Sequence, residues 1–337
     1  PSLSQEELGT AVQKLDALAS AMNQVLFGKE NLIELILTGV LARGHILLEG
    51  LPGLGKTELV KGLSKALDIT ARRVQFTPDL LPGDITGTPV LQEADGRKSF
   101  VFQEGPVFAN IMLADEINRA SPKTQSALLE AMQERKVTVM GQSHSLPEPF
   151  FVLATQNPIE LEGTYPLPEA QLDRFLFKIN VGRNPAEVLT RIVLNREMGM
   201  EPAVPRVLDA EELLRLMELA RRIAIPDAVA GYIGRLVNAT HPGESEAARG
   251  VKYGASPRAA LGLAAAAKAR ALRQGRPFCS FEDVQAVIRP VLEHRILLDH
   301  MAKLEGATPG DVVERLLKEI PAQDKPLPHS LAAAKIH

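Results

Sequence analysis

The feature that most constrains this 337-residue chain is a glycine-rich segment at residues 50–57. Its order, Gly50-Leu51-Pro52-Gly53-Leu54-Gly55-Lys56-Thr57, fits the spacing G-x-x-x-x-G-K-[ST]. The apolar run 46–48 precedes the segment and a helical stretch, 58–67, follows it, which is the strand-loop-helix context that such a loop requires. The segment therefore predicts a cradle for the phosphates of a nucleotide, whereas the alternative is a glycine-rich turn without a ligand.

The residue types of this loop suit phosphate binding. Gly50, Gly53 and Gly55 lack a β-carbon, so successive backbone N–H groups can turn onto phosphate oxygens at a helix N-terminus. Lys56 would place its charge on the β- and γ-phosphates, and the Thr57 hydroxyl would bind magnesium. We also assign to the nucleotide site three neighbours in the loop and first helical turn, Pro52, Leu54 and Glu58.

Composition narrows the class of protein. The chain has 38 basic and 41 acidic residues, a net charge of −3, which does not favour general nucleic-acid affinity. The single cysteine, Cys279, excludes an intramolecular disulfide framework, and the apolar runs fall short of the roughly 20 residues of a membrane span. The N-terminus lacks the pattern of a secretory signal. These features predict a soluble protein of a reducing compartment, the cytoplasm.

Helical apolar stripes at 8–25 and 29–42 flank a break at Leu26-Phe27-Gly28. In phosphate-loop proteins the adenine often packs near such a break, so Phe27 and Gly28 are candidate base-binding residues; a plain helix connection is equally compatible. After the loop we predict a strand at 73–76 and a hairpin whose arms, 88–91 and 99–103, flank Asp95-Gly96. That hairpin is either a functional insertion or a surface feature.

Two later strands end in polar residues. The strand 110–114 leads into Asp115 and Glu116, and the strand 150–154 leads into Thr155-Gln156-Asn157. Ligands of open α/β sheets lie at the carboxyl ends of strands. Asp115 could hold magnesium through water, Glu116 could polarise the attacking water, and a side chain of the second group could sense the γ-phosphate. Solvated acids capping a strand are the alternative.

Further elements follow in order. We predict a helix at 121–134, a second hairpin at 136–146 around Gly141-Gln142, a short helix within 167–175 and a last strand at 176–181. Arg174, at the end of that short helix, could complete the site of a neighbouring subunit. An ion pair within the chain, to Asp173 or Glu169, is the alternative, and spacing alone does not decide between them.

From residue 184 the pattern becomes helical, with helices predicted at 186–198, 209–223, 226–239, 257–273 and 280–298. Ser256 and Pro257 start the fourth of these, and Arg258 lies in its first turn. A cation there opposes the helix dipole, which suggests that Arg258 reaches a phosphate. We therefore predict an α/β nucleotide-binding core at 1–183, an all-α lid at 184–320 and a loosely ordered tail at 321–337.

Taken together, these motifs resemble the MoxR family of AAA+ ATPases over residues 18–298. The resemblance rests on the loop 50–57, the strand end Asp115-Glu116-Ile117-Asn118-Arg119, the segment 154–158, the helix within 167–175 and the segment 254–258. It implies a phosphate-loop AAA+ core with a parallel sheet and β-hairpin insertions, followed by an all-α lid. By the same resemblance Lys56, Thr57 and Asp115 bind ATP and Mg²⁺, Glu116 is the catalytic glutamate, Asn157 the first sensor, Arg174 the arginine finger and Arg258 the second sensor.

Similar proteins form hexameric rings and act as chaperone-like remodellers, in the maturation of partner complexes or the insertion of metals or cofactors, often with partners that carry a von Willebrand factor A domain. An ATP-gated assembly scaffold and a nucleic-acid motor on the same core are alternative functions, although the net charge of −3 disfavours the motor. A GTPase is disfavoured because no N-K-x-D segment follows the loop, and a small-molecule kinase because of the large helical lid and the Asp115-Glu116 pair.

Overall fold

The chain forms a five-stranded parallel sheet in the computed structural model, which describes residues 3–50, 55–94, 97–158, 163–197 and 200–323. The strands are β1 Ile46–Glu49, β2 Ala71–Gln75, β5 Ile111–Asp115, β8 Phe151–Gln156 and β9 Phe177–Asn180. Their order across the sheet is β2-β5-β8-β1-β9. Their parallel pairing confirms the predicted sheet and brings the carboxyl ends of the strands to one edge.

Both faces of the sheet are covered, as parallel sheets require. On β5 the residues alternate between two hydrophobic clusters: Ile111 and Leu113 pack on one side, and Met112 and Ala114 on the other. All four are almost completely buried. This two-sided burial explains why the strand is a continuous apolar run in the sequence rather than an alternating one.

The helices of the core surround this sheet. They are α1 Gln5–Val25, α2 Glu30–Leu41, α3 Lys56–Ala66, α4 Pro82–Thr86, α5 Pro122–Glu134 and α6 Glu169–Leu172. A 3₁₀ turn, Ile117–Arg119, follows β5. Ser4 and Glu7 form a capping box on α1, and the Ser121 side chain caps α5.

Two hairpins project from the core, as predicted. The first pairs β3 Gly87–Ala94 with β4 Arg97–Glu104, and the Asp95-Gly96 turn that we predicted lies outside the described residues. The second pairs β6 Lys136–Val139 with β7 Gln142–Ser145. Its turn is Met140-Gly141, one residue earlier than predicted, because these two residues have the positive φ angles, 52° and 77°, that a tight hairpin turn needs.

The C-terminal region is helical: α7 Ala186–Asn195, α8 Ala210–Arg222, α9 Asp227–Asn238, α10 Pro257–Arg273, α11 Phe281–Leu292, α12 His300–Leu304 and α13 Pro309–Glu319. The helix predicted at 280–298 ends earlier, at Leu292, and a 3₁₀ turn, Glu293–Arg295, follows. Leu297–Leu298 (β11) instead pairs with Val251–Tyr253 (β10), so the helical region also contains one short antiparallel pair.

The last described residues contact the helical region. Arg235 Nη2 on α9 donates to the carbonyl oxygens of Pro321, at 3.1 Å, and Ala322, at 3.0 Å. Most of the predicted tail, 324–337, lies outside the described residues. Within the part of the chain that the structure covers, no helix is both long and apolar enough to cross a membrane.

His45 joins β1 to the neighbouring elements and is buried. Its Nδ1 accepts a hydrogen bond from the Val152 N–H at 2.9 Å, so Nε2 carries the proton and donates to the Met132 carbonyl at 3.1 Å. Both bonds use the neutral imidazole. Burial lowers the pKa of His45 to about 4, with a smaller contribution from the charge of Arg135.

We therefore expect the free energy of unfolding to fall as the pH is lowered from about 6.5 to about 4, because in this range His45 is protonated in the unfolded chain and neutral in the folded chain. Protonation of His45 in the unfolded chain should lower the free energy of unfolding by up to about 3 kcal/mol over this range. Urea unfolding of the chain and of His45→Gln across this range measures it, since the difference in stability between the two should shrink towards acid pH. A pH-independent difference would contradict the assignment.

Candidate functional site

A cavity of about 220 Å³ lies at the carboxyl edge of the sheet. It is lined by Gly50, Gly55, Lys56, Thr57, Glu58, Arg73, Gln75, Asp115, Glu116 and Asn157. These residues come from the connection between β1 and α3 and from the ends of β2, β5 and β8. The structure therefore brings together most of the predicted phosphate and metal residues, while Pro52, Gly53 and Leu54 lie outside the described residues.

The described end of the loop has the geometry that its sequence predicts. Gly55 precedes α3 with φ 84°, a left-handed conformation that favours glycine, and a β-carbon there would approach Leu26 Cδ2 at 2.7 Å. Lys56 Nζ donates to the Gly50 carbonyl at 3.1 Å and so connects the two sides of the loop. Burial lowers the pKa of the Lys56 ammonium, and the charges of Asp115 and Glu116 act to raise it.

Thr155 fixes the acidic pair. Its hydroxyl donates to Asp115 Oδ1 at 2.7 Å and accepts from the Glu116 N–H at 2.8 Å, and its side chain is fully buried. Glu116 has a left-handed backbone, φ 54° and ψ 53°, which is uncommon for glutamate and turns its side chain away from the strand direction. The sequence placed Thr155 at the correct edge but did not indicate this role.

Two arginines that the sequence analysis did not single out for the site contact the acidic pair. Arg73 Nη2 is 2.7 Å from Asp115 Oδ2, and Arg119 Nη1 is 3.1 Å from Glu116 Oε2. Arg73 lies on β2 two residues before Gln75, so both side chains share one side of the strand. That alternation was the signal available in the sequence, together with the position of the strand end.

A second cavity, of about 440 Å³, adjoins the first through Gly55 and Glu58. Val25, Leu26, Phe27, Lys29, Asn184, Ile192, Arg196, Glu197, Met200 and Pro202 complete its lining. The guanidinium carbons of Arg191 and Arg196 are each 5.1 Å from the centre of the Phe27 ring. This cavity combines apolar side chains, including the Phe27 ring, with polar and charged ones at Lys29, Glu58, Asn184, Arg196 and Glu197.

Gly28 shapes this second cavity without being part of its lining. Its φ is 68°, and a β-carbon at this position would lie 2.3 Å from Val188 Cγ2 on α7. The break between α1 and α2 therefore lets α7, the first helix of the C-terminal region, pack close to the core.

The remaining predicted residues, Arg174 and Arg258, do not line the first cavity. Arg258 Nη1 is 3.5 Å from Asp173 Oδ2, and its side chain is half exposed. Arg174 lines a separate groove of about 420 Å³ with Glu130, Gln133, Glu134 and Lys136. The alternative that we considered for Arg174, an ion pair with Asp173 or Glu169, is not formed among the described residues.

Asp173 instead binds the helical region. Its Oδ1 accepts from Arg295 Nε at 2.7 Å, and its Oδ2 accepts from the Ser256 hydroxyl at 3.0 Å. The Arg295 side chain is only 3% exposed and also donates to the carbonyls of Asp173, Phe175 and Leu176. One aspartate thus connects the segment before β9 to both α10 and the turn after α11.

Two family models match the chain. Residues 45–177 match the ATPase family associated with various cellular activities (AAA), and residues 243–316 match an AAA lid domain. The first match contains the loop, the acidic pair and Asn157, and the second contains Ser256, Arg258 and Arg295. Asp173 lies within the first match, and its partners Ser256, Arg258 and Arg295 lie within the second.

Individual proteins are similar over nearly the whole chain. The chaperone MoxR1 of Mycobacterium tuberculosis is 44% identical over 94% of this chain and 84% of its own length. The YeaC protein of Bacillus subtilis is 41% identical over 93% of this chain and 94% of its own length. A crystal structure from Cytophaga hutchinsonii is 40% identical, has a TM-score of 0.87 and covers 94% of this chain and 97% of its own.

We expect Thr155→Val to destabilise the protein by about 1–3 kcal/mol, because the buried Glu116 N–H loses its acceptor and Asp115 loses a donor. Thr155→Ser is the matched control: it keeps the hydroxyl and removes one buried methyl, which costs about 1 kcal/mol. Urea unfolding of the three proteins measures both effects. If the valine variant were as stable as the unmodified chain, the hydroxyl would not hold the acidic pair.

Proposed function

The chain belongs to the MoxR family of AAA+ ATPases, and from that membership we propose that it hydrolyses ATP in the first cavity to remodel partner proteins, as a chaperone. The observation that carries this proposal is the convergence of Lys56, Thr57, Asp115, Glu116 and Asn157 on one cavity. The partners would be protein complexes under maturation, including the insertion of a metal or cofactor.

In this proposal the phosphates lie against the loop 50–57. Lys56 would contact the β- and γ-phosphates, and the N-terminus of α3 would stabilise their negative charge. The base enters the second cavity beside Phe27, which Gly55 and Glu58 connect to the first. A planar base suits this cavity because aromatic and guanidinium groups already stack there.

The residues present also fit magnesium. Thr57 and Asp115 supply oxygen ligands, which this ion prefers. Among the described residues no group of three or more His, Cys, Asp or Glu side chains gathers as a metal site, which agrees with an ion held chiefly by phosphates and water. When bound, the ion would neutralise charge that develops on the phosphates.

We assign hydrolysis to Glu116 and Asn157. Glu116 would take the proton of the attacking water, and Asn157 would orient that water against the γ-phosphate. Glu116 Oε2 contacts Arg119 Nη1 at 3.1 Å, so the carboxylate would accept the proton at Oε1 or would first exchange Arg119 for the water. Because Arg119 is about half exposed, the exchange moves one surface side chain only.

Arg174 and Arg258 would complete the site as arginine finger and second sensor. Arg174 lines a groove and, among the described residues, forms no ion pair with Asp173 or Glu169. Its guanidinium would therefore be available to the nucleotide of an adjacent subunit. Arg258 lies in the first turn of α10 and would leave Asp173 for the phosphates of its own subunit. We therefore propose a homo-oligomeric ring, hexameric as in similar proteins.

The domain boundaries and the setting are also proposals. We place the nucleotide-binding core at 1–183, the lid at 184–320 and the tail at 321–337; the family models at 45–177 and 243–316 support the first two. Protein clients and a partner with a von Willebrand factor A domain follow from the family. The location we propose is the cytoplasm, where ATP is present and a reduced thiol such as Cys279 persists.

One observation favours a second function, an ATP-gated assembly scaffold in which hydrolysis is secondary. Both carboxylates of the site are paired with arginines, Asp115 with Arg73 and Glu116 with Arg119. A protein that binds ATP and turns it over slowly could keep these pairs. The scaffold would retain its partner function when Glu116 is replaced, whereas the remodeller would lose it.

We expect Glu116→Gln to bind ATP with nearly unchanged affinity and to lose hydrolysis by about 100-fold or more, since the amide cannot accept the proton of water. Lys56→Ala is the control and should lose binding as well. Equilibrium binding of a fluorescent ATP analogue and phosphate release measure the two steps. Loss of binding in Glu116→Gln would instead place this carboxylate among the groups that hold the metal.

We expect a mixture of Arg174→Ala and Glu116→Gln subunits to regain hydrolysis that neither variant shows alone. In a randomly mixed ring about a quarter of the interfaces pair an intact Glu116 with an intact Arg174. A mixture of Lys56→Ala and Glu116→Gln should stay inactive, because both changes disable the same side of each interface. Recovery in the control mixture, or none in the test mixture, would refute the shared site.

A further inference from the structure

The carboxylate of Asp115 is already occupied by donors of the protein. Its Oδ1 accepts from the Thr155 hydroxyl at 2.7 Å, and its Oδ2 accepts from Arg73, from Nη2 at 2.7 Å and from Nε at 3.2 Å. A carboxylate oxygen has about two lone-pair sites. The two N–H groups of Arg73 therefore fill Oδ2, and only Oδ1 keeps room for another partner.

The two arginine contacts differ from the threonine contact in how easily they can be released. Thr155 is fully buried, so its bond to Asp115 is fixed by the packing of β8. The Arg73 side chain is 49% exposed and lies on β2, an edge strand of the sheet, whereas that of Asp115 is 17% exposed. Arg73 can thus turn into solvent while Asp115 keeps its place.

Gln75 holds the guanidinium in position. Its Oε1 accepts from Arg73 Nη2 at 2.9 Å, and Gln75 itself pairs with Asp115 along the β2–β5 ladder. Both Arg73 and Gln75 line the first cavity. Gln75 thus positions Arg73 at the cavity wall while the ion pair with Asp115 is intact.

We propose that Arg73 competes with magnesium for the Asp115 carboxylate and thereby sets how much magnesium the site requires to bind ATP. The inference rests on the function proposed above and assigns a positioning role to a residue outside the loop and the acidic pair. Without the metal, Arg73 neutralises Asp115; with the metal-bound nucleotide present, the metal or its water either takes Oδ2 from Arg73 or binds Oδ1 beside that cation, which repels the metal. The ion pair therefore opposes entry of the metal.

The test measures binding rather than turnover. Methylanthraniloyl-ATP is titrated with the unmodified chain and with Arg73→Gln at free Mg²⁺ concentrations set with EDTA. In Arg73→Gln the half-saturating Mg²⁺ concentration should fall about two- to fivefold, the range expected for a partly exposed ion pair. The matched control is Arg72→Gln, which removes the same charge from an exposed position on the opposite side of β2 and should leave the value unchanged.

A double-mutant cycle locates the effect. In an Asp115→Asn background, Arg73→Gln should no longer change the half-saturating Mg²⁺ concentration. An unchanged value in the single variant, or a fall that persists without the Asp115 charge, overturns the inference. If the unmodified chain fails to bind the analogue, or binds it independently of Mg²⁺, the proposed function itself fails, so the two failures are distinct.

Discussion

The candidate site depends on one hydroxyl that joins the ends of two parallel strands. Thr155 on β8 holds both the Asp115 carboxylate and the Glu116 backbone at the end of β5, and its burial leaves it no alternative partner in water. Because β5 also pairs with β2 in parallel, the same edge receives Arg73 and Gln75. A register shift of one residue would turn these side chains to the other face of the sheet.

Charge balance then governs what this edge can bind. Three carboxylates line the first cavity, Glu58, Asp115 and Glu116. Lys56 and Arg73 are the cations of its lining, and Arg119 adds a third positive charge through its ion pair with Glu116. Lys56 is the least free of these cations, since it also bonds to Gly50 and its pKa is lowered by burial. The arginines are half exposed and can be released, so the edge can adapt to a polyanion or to its metal complex without moving the backbone.

Local sequence patterns predicted the elements, and distant contacts defined the site. Burial on both faces makes β5 and β8 into apolar runs, so the polar residues at their ends, such as Asp115 and Thr155, could be placed from the sequence. The pairs Arg73–Asp115 and Arg295–Asp173 join residues 42 and 122 positions apart, which no periodicity encodes. The end of the predicted helix 280–298 was wrong because Leu297–Leu298 pairs with the strand Val251–Tyr253, another distant contact.

The same distant contacts give the proposed ring a means of coupling its sites. Arg295 is nearly buried, and a buried guanidinium is tolerated only when its donors are satisfied. Asp173 and the carbonyls of Phe175 and Leu176 accept from them. Arg295 thus hydrogen-bonds to the chain on both sides of Arg174. Arg258 shares that aspartate. If Arg258 turns to the nucleotide of its own subunit as proposed, Asp173 loses one of its arginine partners. Asp173 is one residue from Arg174, the arginine assigned to the next subunit's site.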